Sequence, residues 1–325
     1  MKVCVYGCGA IGSLLAVRLA GSGAQTSVIA RGPHLEAIQA NGLTLLSADG
    51  GESLTEVVHA SDDPAALGEQ DVVFLTMKSH AVPAIAAAIA PLLGPDTVVV
   101  TAYNGIPWWY FYGLSDDLGC PELLSVDPEK KLWHAIGPER AVGCVVYPAA
   151  ALESPGVVRH VFGDRFTIGE PNGRSSARLA AMAEALQSAG FDTSVAEEIR
   201  TDIWTKLVAN AAFNPVSVIT GKTLGAMLDD EATYRLLASI MAEVIGVARA
   251  LGIEVPLAPV KLLEATRQLG QHKTSMLQDY EAGRPLELGP VIAAVLELAE
   301  WLGVDVSSLA MVYQLVITKL DPVQE

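Results

Sequence analysis

The stretch that most constrains this 325-residue chain is Gly7-Cys8-Gly9-Ala10-Ile11-Gly12. It follows Val3-Cys4-Val5-Tyr6, which reads as a buried strand, and opens an apolar helical run, Leu14-Leu15-Ala16-Val17-Leu19-Ala20. A G-x-G-x-x-G at a strand-to-helix turn is a pyrophosphate cradle. The first glycine makes the turn, the second lets backbone approach the phosphates, and the third packs helix on strand. The N–H groups and positive dipole end of the helix then hold the anion. The other reading of residues 3–20 is the apolar core of a secretion signal. Against it, Lys2 is the one basic residue ahead of the run, Arg18 interrupts it, and no clear A-x-A cleavage signal follows.

The length suggests two domains with ample cores. A content of 51% apolar residues argues against disorder. The most apolar stretch, Ala81 to Ala102, is broken by Pro83, Pro91 and Pro95 and carries Asp96, so it does not read as a membrane span. A net charge of −16 disfavours nucleic acid and anionic membrane as partners. Cys4, Cys8, Cys120 and Cys144 form no C-x-x-C pair, and reduced thiols in a cytoplasmic protein are the plain reading. The six histidines form no ligand cluster, so no metal site is expected. No G-x-S-x-G elbow supports a hydrolase.

Residues 1–104 alternate between apolar strands (3–6, 26–29, 72–76, 98–101) and helical segments near 10–23, 33–41 and 80–90. That alternation argues a doubly wound, mainly parallel sheet. Shorter strands at 142–147, 157–161 and 165–168 close the domain, followed by a helix near 175–189 and a strand near 191–195. From Glu197 onward long helices take over. The expected division is 1–196 for an α/β dinucleotide domain, with an excursion at 107–141, and 197–325 for an all-α domain. Helices near 232–251 and 291–303 are apolar enough for the core of that domain or for a homodimer face.

NAD-specific sites usually carry Asp or Glu at the end of the second strand, on the ribose 2′-hydroxyl. Here Ala30-Arg31 stand in that place, and no carboxylate repels a 2′-phosphate. Arg31 can pair with that phosphate, and Lys78 adds a second cation at the strand ends. NADP(H) is therefore the expected cofactor, unless Arg31 and Lys78 are simply solvated surface charges.

In the second half, Lys206, Asn210 and Asn214 are spaced i, i+4, i+8. At about 100° per residue they drift only about 80° round the axis and share one helical face. Leu207, Val208, Ala211, Ala212 and Phe213 would bury that face, and buried Lys and Asn are costly without partners. Pro215 withholds a donor from the Ala211 carbonyl, so the line is expected to end at a broken helix. A ligand site is one reading; a snorkelling lysine with asparagines linking helices is the other. Further on, Ser275 and Gln278 fit an S-x-x-Q capping box. Glu287 precedes an apolar helical run, where an acid complements the dipole.

These elements together resemble the ketopantoate reductases (2-dehydropantoate 2-reductases) over nearly the whole length. The resemblance rests on the opening glycines, Tyr103-Asn104-Gly105 after a strand, Lys206-x3-Asn210-x3-Asn214-Pro215, and Thr274-Ser275-Met276-Leu277-Gln278-Asp279 with Gly283-Arg284 and Glu287. It implies a Rossmann domain and an all-α domain, with the active site in the cleft between them, where NADPH reduces the 2-oxo group of a small acid. It implies Lys206 as general acid, since charge grows on the carbonyl oxygen as hydride arrives. A lysine with an ordinary pKa of about 10.4 needs lowering for that task. Glu287 would serve the substrate's distal hydroxyl or the lysine. Asn210 and Asn214 would orient substrate and lysine, Ser275 would bind the substrate carboxylate, and Asn104 would stand near the nicotinamide ribose and substrate. Gly7, Cys8, Gly9, Ala10, Ile11, Gly12, Arg31 and Lys78 would hold the cofactor.

The chain departs from the family pattern at Leu224, where another Asn is common, and at Ile292-Ala293, in place of Asn-Gly. Both changes are expected to make the substrate side more apolar and to favour a bulkier or more apolar 2-oxo acid. Trp108-Trp109-Tyr110-Phe111-Tyr112 would either wall the pocket or pack the excursion onto the domain. Two other functions share the cofactor: oxidation of a hydroxy acid, and a non-catalytic NADPH sensor, which would have no use for Lys206 and Glu287.

Overall fold

The computed structural model describes residues 1–114 and 120–320. Residues 115–119 of the expected excursion and 321–325 of the expected helical domain lie outside the described residues. The chain divides into two compact units: Met1–Tyr103, Pro107–Leu118 and Glu129–Ile199 in the first; Asn104–Ile106, Gly119–Pro128 and Arg200–Glu325 in the second.

Among its described residues the first unit contains twelve strands: β1 (Lys2–Tyr6), β2 (Gln25–Ile29), β3 (Leu43–Leu46), β4 (Ser53–Glu56), β5 (His59–Ser61), β6 (Gln70–Leu75), β7 (Leu93–Thr101), β8 (Ala141–Val146), β9 (Ala149–Ser154), β10 (Val157–Phe162), β11 (Arg165–Gly169) and β12 (Asp192–Val195). Eight form one sheet in the order β12-β11-β8-β7-β6-β1-β2-β5. Every neighbouring pair is parallel except β8 and β11. The strand order reverses about β1, which makes the carboxyl end of β1 the point where an open α/β sheet takes its ligand. The fold class is the doubly wound one expected.

Helices α1 (Ala10–Gly21), α2 (Gly32–Asn41), α3 (Lys131–Ile136) and α4 (Ala177–Ser188) belong to this unit. Helix α1 buries Leu14, Leu15, Ala16, Val17 and Leu19 completely. A helix apolar all round needs cover all round. Here β1 and β2 cover one side, and β3, β9 and β10 of a second, four-stranded sheet (β4-β3-β10-β9) cover the other. This small sheet corrects the expectation for 157–161: β10 pairs with β3 and β9, not with the main sheet. Its partners carry weak local signals; Ala149–Ser154 has few β-favouring residues and is a strand because of its pairing. The helix expected near 80–90 is instead a 3₁₀ segment, Ser79–Ile85, with Pro83 inside it. Proline supplies no backbone N–H and crowds the preceding turn, which a regular α-helix does not tolerate.

The first three residues of the aromatic run, Trp108, Trp109 and Tyr110, are core, while Phe111 and Tyr112 are half-buried. Trp109 and Tyr110 are buried, and Trp109 Nε1 donates to Thr101 Oγ1 at 3.0 Å. Gly143 makes room for it, since a Cβ there would lie 2.9 Å from the Trp109 ring.

The second unit is helical among its described residues: α5 (Ile199–Thr220), α6 (Leu224–Asp229), α7 (Glu231–Ala250), α8 (Pro259–Arg267), α9 (Ser275–Glu281), a π-helical turn (Gly289–Ala293), α10 (Ala294–Leu302) and α11 (Ser307–Leu320). Helix α7 starts on an Asp230 cap, whose carboxylate accepts from Thr233 N at 2.8 Å. It buries Leu237, Ile240, Met241, Val244, Val247 and Ala248, a stripe at helical spacing, against α6, α8, α10 and α11. Helix α5 is not broken at Pro215; it runs through to Thr220. One missing hydrogen bond in a helix whose Ala211, Ala212, Phe213, Val216 and Ser217 are all buried costs less than the packing returns.

Candidate functional site

In the first unit the glycine loop stands at the carboxyl end of β1. Gly7 has φ +105°, a left-handed conformation, and a Cβ there would lie 2.7 Å from Met77 N. At Gly12 a Cβ would lie 2.3 Å from Gly7 O, so only glycine lets α1 start this close to the strand. Thr76, just past β6, braces the loop by donating from Oγ1 to Gly7 O at 2.8 Å. Gly9 differs from both: its Cβ direction is open, with no atom within 4 Å.

Gly9 caps α1 without a side-chain hydrogen bond, and no acid occupies the first turn. The first bond of the helix is Ser13 N to Gly9 O at 2.8 Å, so the N–H groups of Ala10, Ile11 and Gly12 precede it. Unclaimed N–H donors at a positive helix end, beside an open glycine face, fit a pyrophosphate. Arg31, exposed, follows β2 as the cap of α2, and half-buried Lys78 follows β6. Because β2 and β6 flank β1, both cations stand at the loop's edge of the sheet. Cys8 is a buried thiol pushed up to about 11 by that burial, against the lowering effect of Ser13 Oγ at 3.3 Å. Its side chain offers no charge to the ligand.

In the second unit three residues distant in sequence converge. Lys206 Nζ donates to Asn104 Oδ1 at 2.9 Å, and Asn104 Nδ2 donates to Glu287 Oε2 at 3.3 Å. Lys206 stands half-buried on α5, and Glu287 is buried just before the π-helical turn. The amide thus reads a donor on one side and an acceptor on the other, which fixes both its orientation and the ammonium. Asn210 and Asn214 continue the α5 face, Asn210 half-buried and Asn214 buried. Among the described residues neither side-chain amide has a hydrogen-bond partner within the protein, and neither is among the fully buried unsatisfied groups, so both can take a ligand.

Ser275 is the first residue of α9 and is exposed. It does not cap the helix: Thr274 does, its Oγ1 accepting from Leu277 N at 3.1 Å, while Gln278 donates to Lys273 O. The capping-box expectation was one residue out of register, and the Ser275 hydroxyl is left outside the cap. Ser217, which the sequence reading did not name, and Thr274, which opens the motif but was given no role, share a buried hydroxyl contact of 2.6 Å tying α9 to α5. Ser217 also donates to Asn214 O at 2.7 Å. Its position three residues beyond Asn214 on the same helix is the signal that was there to find. Ile292 is fully buried and Leu224 nearly so, with Leu224 N donating to His272 O. Leu224 and Ile292 therefore lie in helix packing, while Ala293 beside Ile292 is half-buried. No helix among the described residues is long and apolar enough to cross a membrane.

Comparison with known proteins matches residues 3–173 to the family described as ketopantoate reductase PanE/ApbA, and residues 198–319 to its C-terminal family. A 2-dehydropantoate 2-reductase of Mesorhizobium japonicum is 46% identical over 299 residues, 92% of this chain and 91% of the relative. A crystal structure from Ralstonia solanacearum MolK2 matches with a TM-score of 0.92 and 41% identity, covering 97% of this chain and 96% of that one. A 2-dehydropantoate 2-reductase from Geobacter metallireducens matches with a TM-score of 0.86 and 27% identity, covering 98% of this chain and all of the other.

Proposed function

The chain belongs to the ketopantoate reductase (PanE/ApbA) family, and we propose from that premise that it reduces 2-dehydropantoate to pantoate with NADPH. The observation that carries the reading is the Lys206–Asn104–Glu287 array, a proton donor and a carboxylate held to one amide. NADPH, when bound at the glycine loop, supplies a hydride to the carbonyl carbon. Lys206 faces the carbonyl oxygen and gives it a proton as negative charge develops there. One hydride and one proton turn the 2-oxo acid into the 2-hydroxy acid, and Lys206 recovers its proton from water. Asn104 holds the ammonium in line. The unpartnered amides of Asn210 and Asn214 and the free hydroxyl of Ser275 take the carboxylate and oxo group, and Glu287 accepts from the distal hydroxyl. Arg31 and Lys78 take the 2′-phosphate side of the cofactor.

The test follows NADPH oxidation with 2-dehydropantoate and a panel of 2-oxo acids, with pantoate identified as product. Efficient turnover of 2-dehydropantoate is the expected result. A clear preference for another acid would replace the substrate, and NADPH binding without turnover of any acid would end the reductase reading. Buried thiols at Cys4, Cys8 and Cys144 support a reducing compartment, proposed to be the cytoplasm. A homodimer is proposed on the apolar side chains that α11 leaves exposed, Met311, Leu315 and Leu320, and light scattering reads it directly.

A further inference from the structure

The array of Asn104 and Glu287 depends on two backbone segments meeting, and both contacts run through the π-helical turn that follows Glu287. Ala294 N donates to Gly289 O, five residues back, in the wide register of a π-helix. Such turns are rare and cost packing. Ile106 N donates to Pro290 O at 2.9 Å, which locks the Asn104 loop to the turn three residues beyond Glu287. Gly105 permits this approach. Its φ is +92°, and a Cβ would lie 2.4 Å from Pro290 O and 2.8 Å from Pro290 Cβ.

On its other side the turn meets the segment around Ser125. A Cβ on Gly289 would lie 2.5 Å from Ser125 O. Ser125 is itself held from α10, because Ser125 N donates to Glu297 Oε1 at 3.0 Å. The turn is therefore gripped between two chain segments, and at each grip a glycine stands where any side chain would push the backbones apart. Gly289 is the cleaner case: it sits in a helical turn, where alanine is otherwise the better residue, so the clash with Ser125 O is the one objection to a methyl.

We propose that Gly105 and Gly289 are positioning residues for the reduction: by letting the Asn104 loop and the Ser125 segment close onto the π-helical turn, they set the distance from Asn104 to Glu287 and so the placement of Lys206 and substrate. Neither touches the reacting atoms. A methyl at Gly289 moves the turn by the amount needed to relieve a 2.5 Å contact, which is of the order of the ångström that separates productive from unproductive geometry. This inference rests on the proposed roles of Lys206 and Glu287.

The experiment compares wild type with Gly289→Ala and Gly105→Ala, each titrated first for NADPH-binding stoichiometry and affinity. Calorimetric pantoate affinity and kcat and KM for 2-dehydropantoate are then measured per NADPH-competent site. The expected result is full stoichiometry, NADPH affinity within about twofold of wild type, weaker pantoate binding, and kcat/KM lower by roughly 10- to 100-fold. Unchanged kcat/KM and pantoate affinity in a fully NADPH-competent Gly289→Ala protein overturn the proposal. So does a loss explained entirely by a smaller NADPH-competent fraction, which is what a merely structural glycine would give. If either alanine variant does not fold, Glu297→Ala releases Ser125 N without adding volume, and the same two readouts decide, with a threefold or greater fall in kcat/KM expected. Wild-type failure on 2-dehydropantoate would sink the functional reading; the ratio of variant to wild type for pantoate binding speaks only to positioning.

Discussion

Asn104 accepts a hydrogen bond from the Lys206 ammonium at 2.9 Å across 102 residues of chain. The same amide donates to Glu287, so one side chain holds the proposed proton donor and the proposed carboxylate at once. Lys206→Ala is expected to lower kcat by roughly 10²-fold or more with unchanged NADPH affinity, and Asn104→Ala to lower kcat by roughly tenfold or more. Steady-state kinetics with a separate NADPH binding titration checks this. A Lys206→Ala enzyme of near-normal kcat would remove the lysine from the mechanism.

The second and third glycines of the cofactor loop separate stability from binding. Gly12→Ala places a methyl 2.3 Å from Gly7 O and is expected to lower the melting temperature and abolish NADPH binding together. Gly9→Ala meets no atom within 4 Å and is expected to leave the melting temperature of the free protein unchanged while weakening NADPH at least tenfold. Thermal melts with and without NADPH distinguish them. A Gly9→Ala protein that binds NADPH normally would place the phosphates elsewhere.

Arg31 stands at the cap of α2, past the end of β2, with no carboxylate beside it in the sequence at the place where NAD sites usually carry one. Arg31→Ala is expected to reduce the preference for NADPH over NADH by roughly 10- to 100-fold, the worth of a charge-assisted contact. The measured quantity is the ratio of kcat/KM for the two cofactors. An unchanged ratio would return Arg31 to the solvated surface.

Glu170 is buried and grips Arg178 with both oxygens, at 2.7 and 2.6 Å, while Ser176 Oγ donates to it at 2.5 Å. Burial alone would raise this carboxyl, but the Arg178 and Ser176 hydrogen bonds outweigh it and hold it below its ordinary value of about 4.5. The folded value lies below the unfolded one. The stabilisation is therefore complete above the ordinary value and is lost as pH falls through the folded one. Glu170→Gln should cost roughly 1–3 kcal/mol near neutral pH and flatten the acid limb of the stability curve. Chemical denaturation across pH measures both; parallel acid limbs would contradict the assignment.

What local chemistry dictates was legible in the residues themselves. Glycine spacing after an apolar strand placed the loop at the end of β1. The i, i+4, i+8 spacing put Lys206, Asn210 and Asn214 on one face of α5, because a helix of this length repeats its faces whatever lies around it. The alternation of apolar strands and helices announced the parallel sheet.

What depends on chain segments meeting was decided by the tertiary structure alone. Nothing near Asn104 in sequence says that its amide closes on Glu287, 183 residues away, since that contact needs the backbone paths at Gly105 and Pro290. The continuity of α5 through Pro215 was hidden because packing overrode a local rule. The second sheet was hidden because β9 is a strand only by virtue of β10 beside it. Even the aromatic run, conspicuous in the sequence, took its role from Gly143 and Thr101, which make a place for Trp109 in the core. Periodicity is a property of neighbours along the chain; which partner satisfies a buried amide, or fills the space beside a glycine, is a property of neighbours in space.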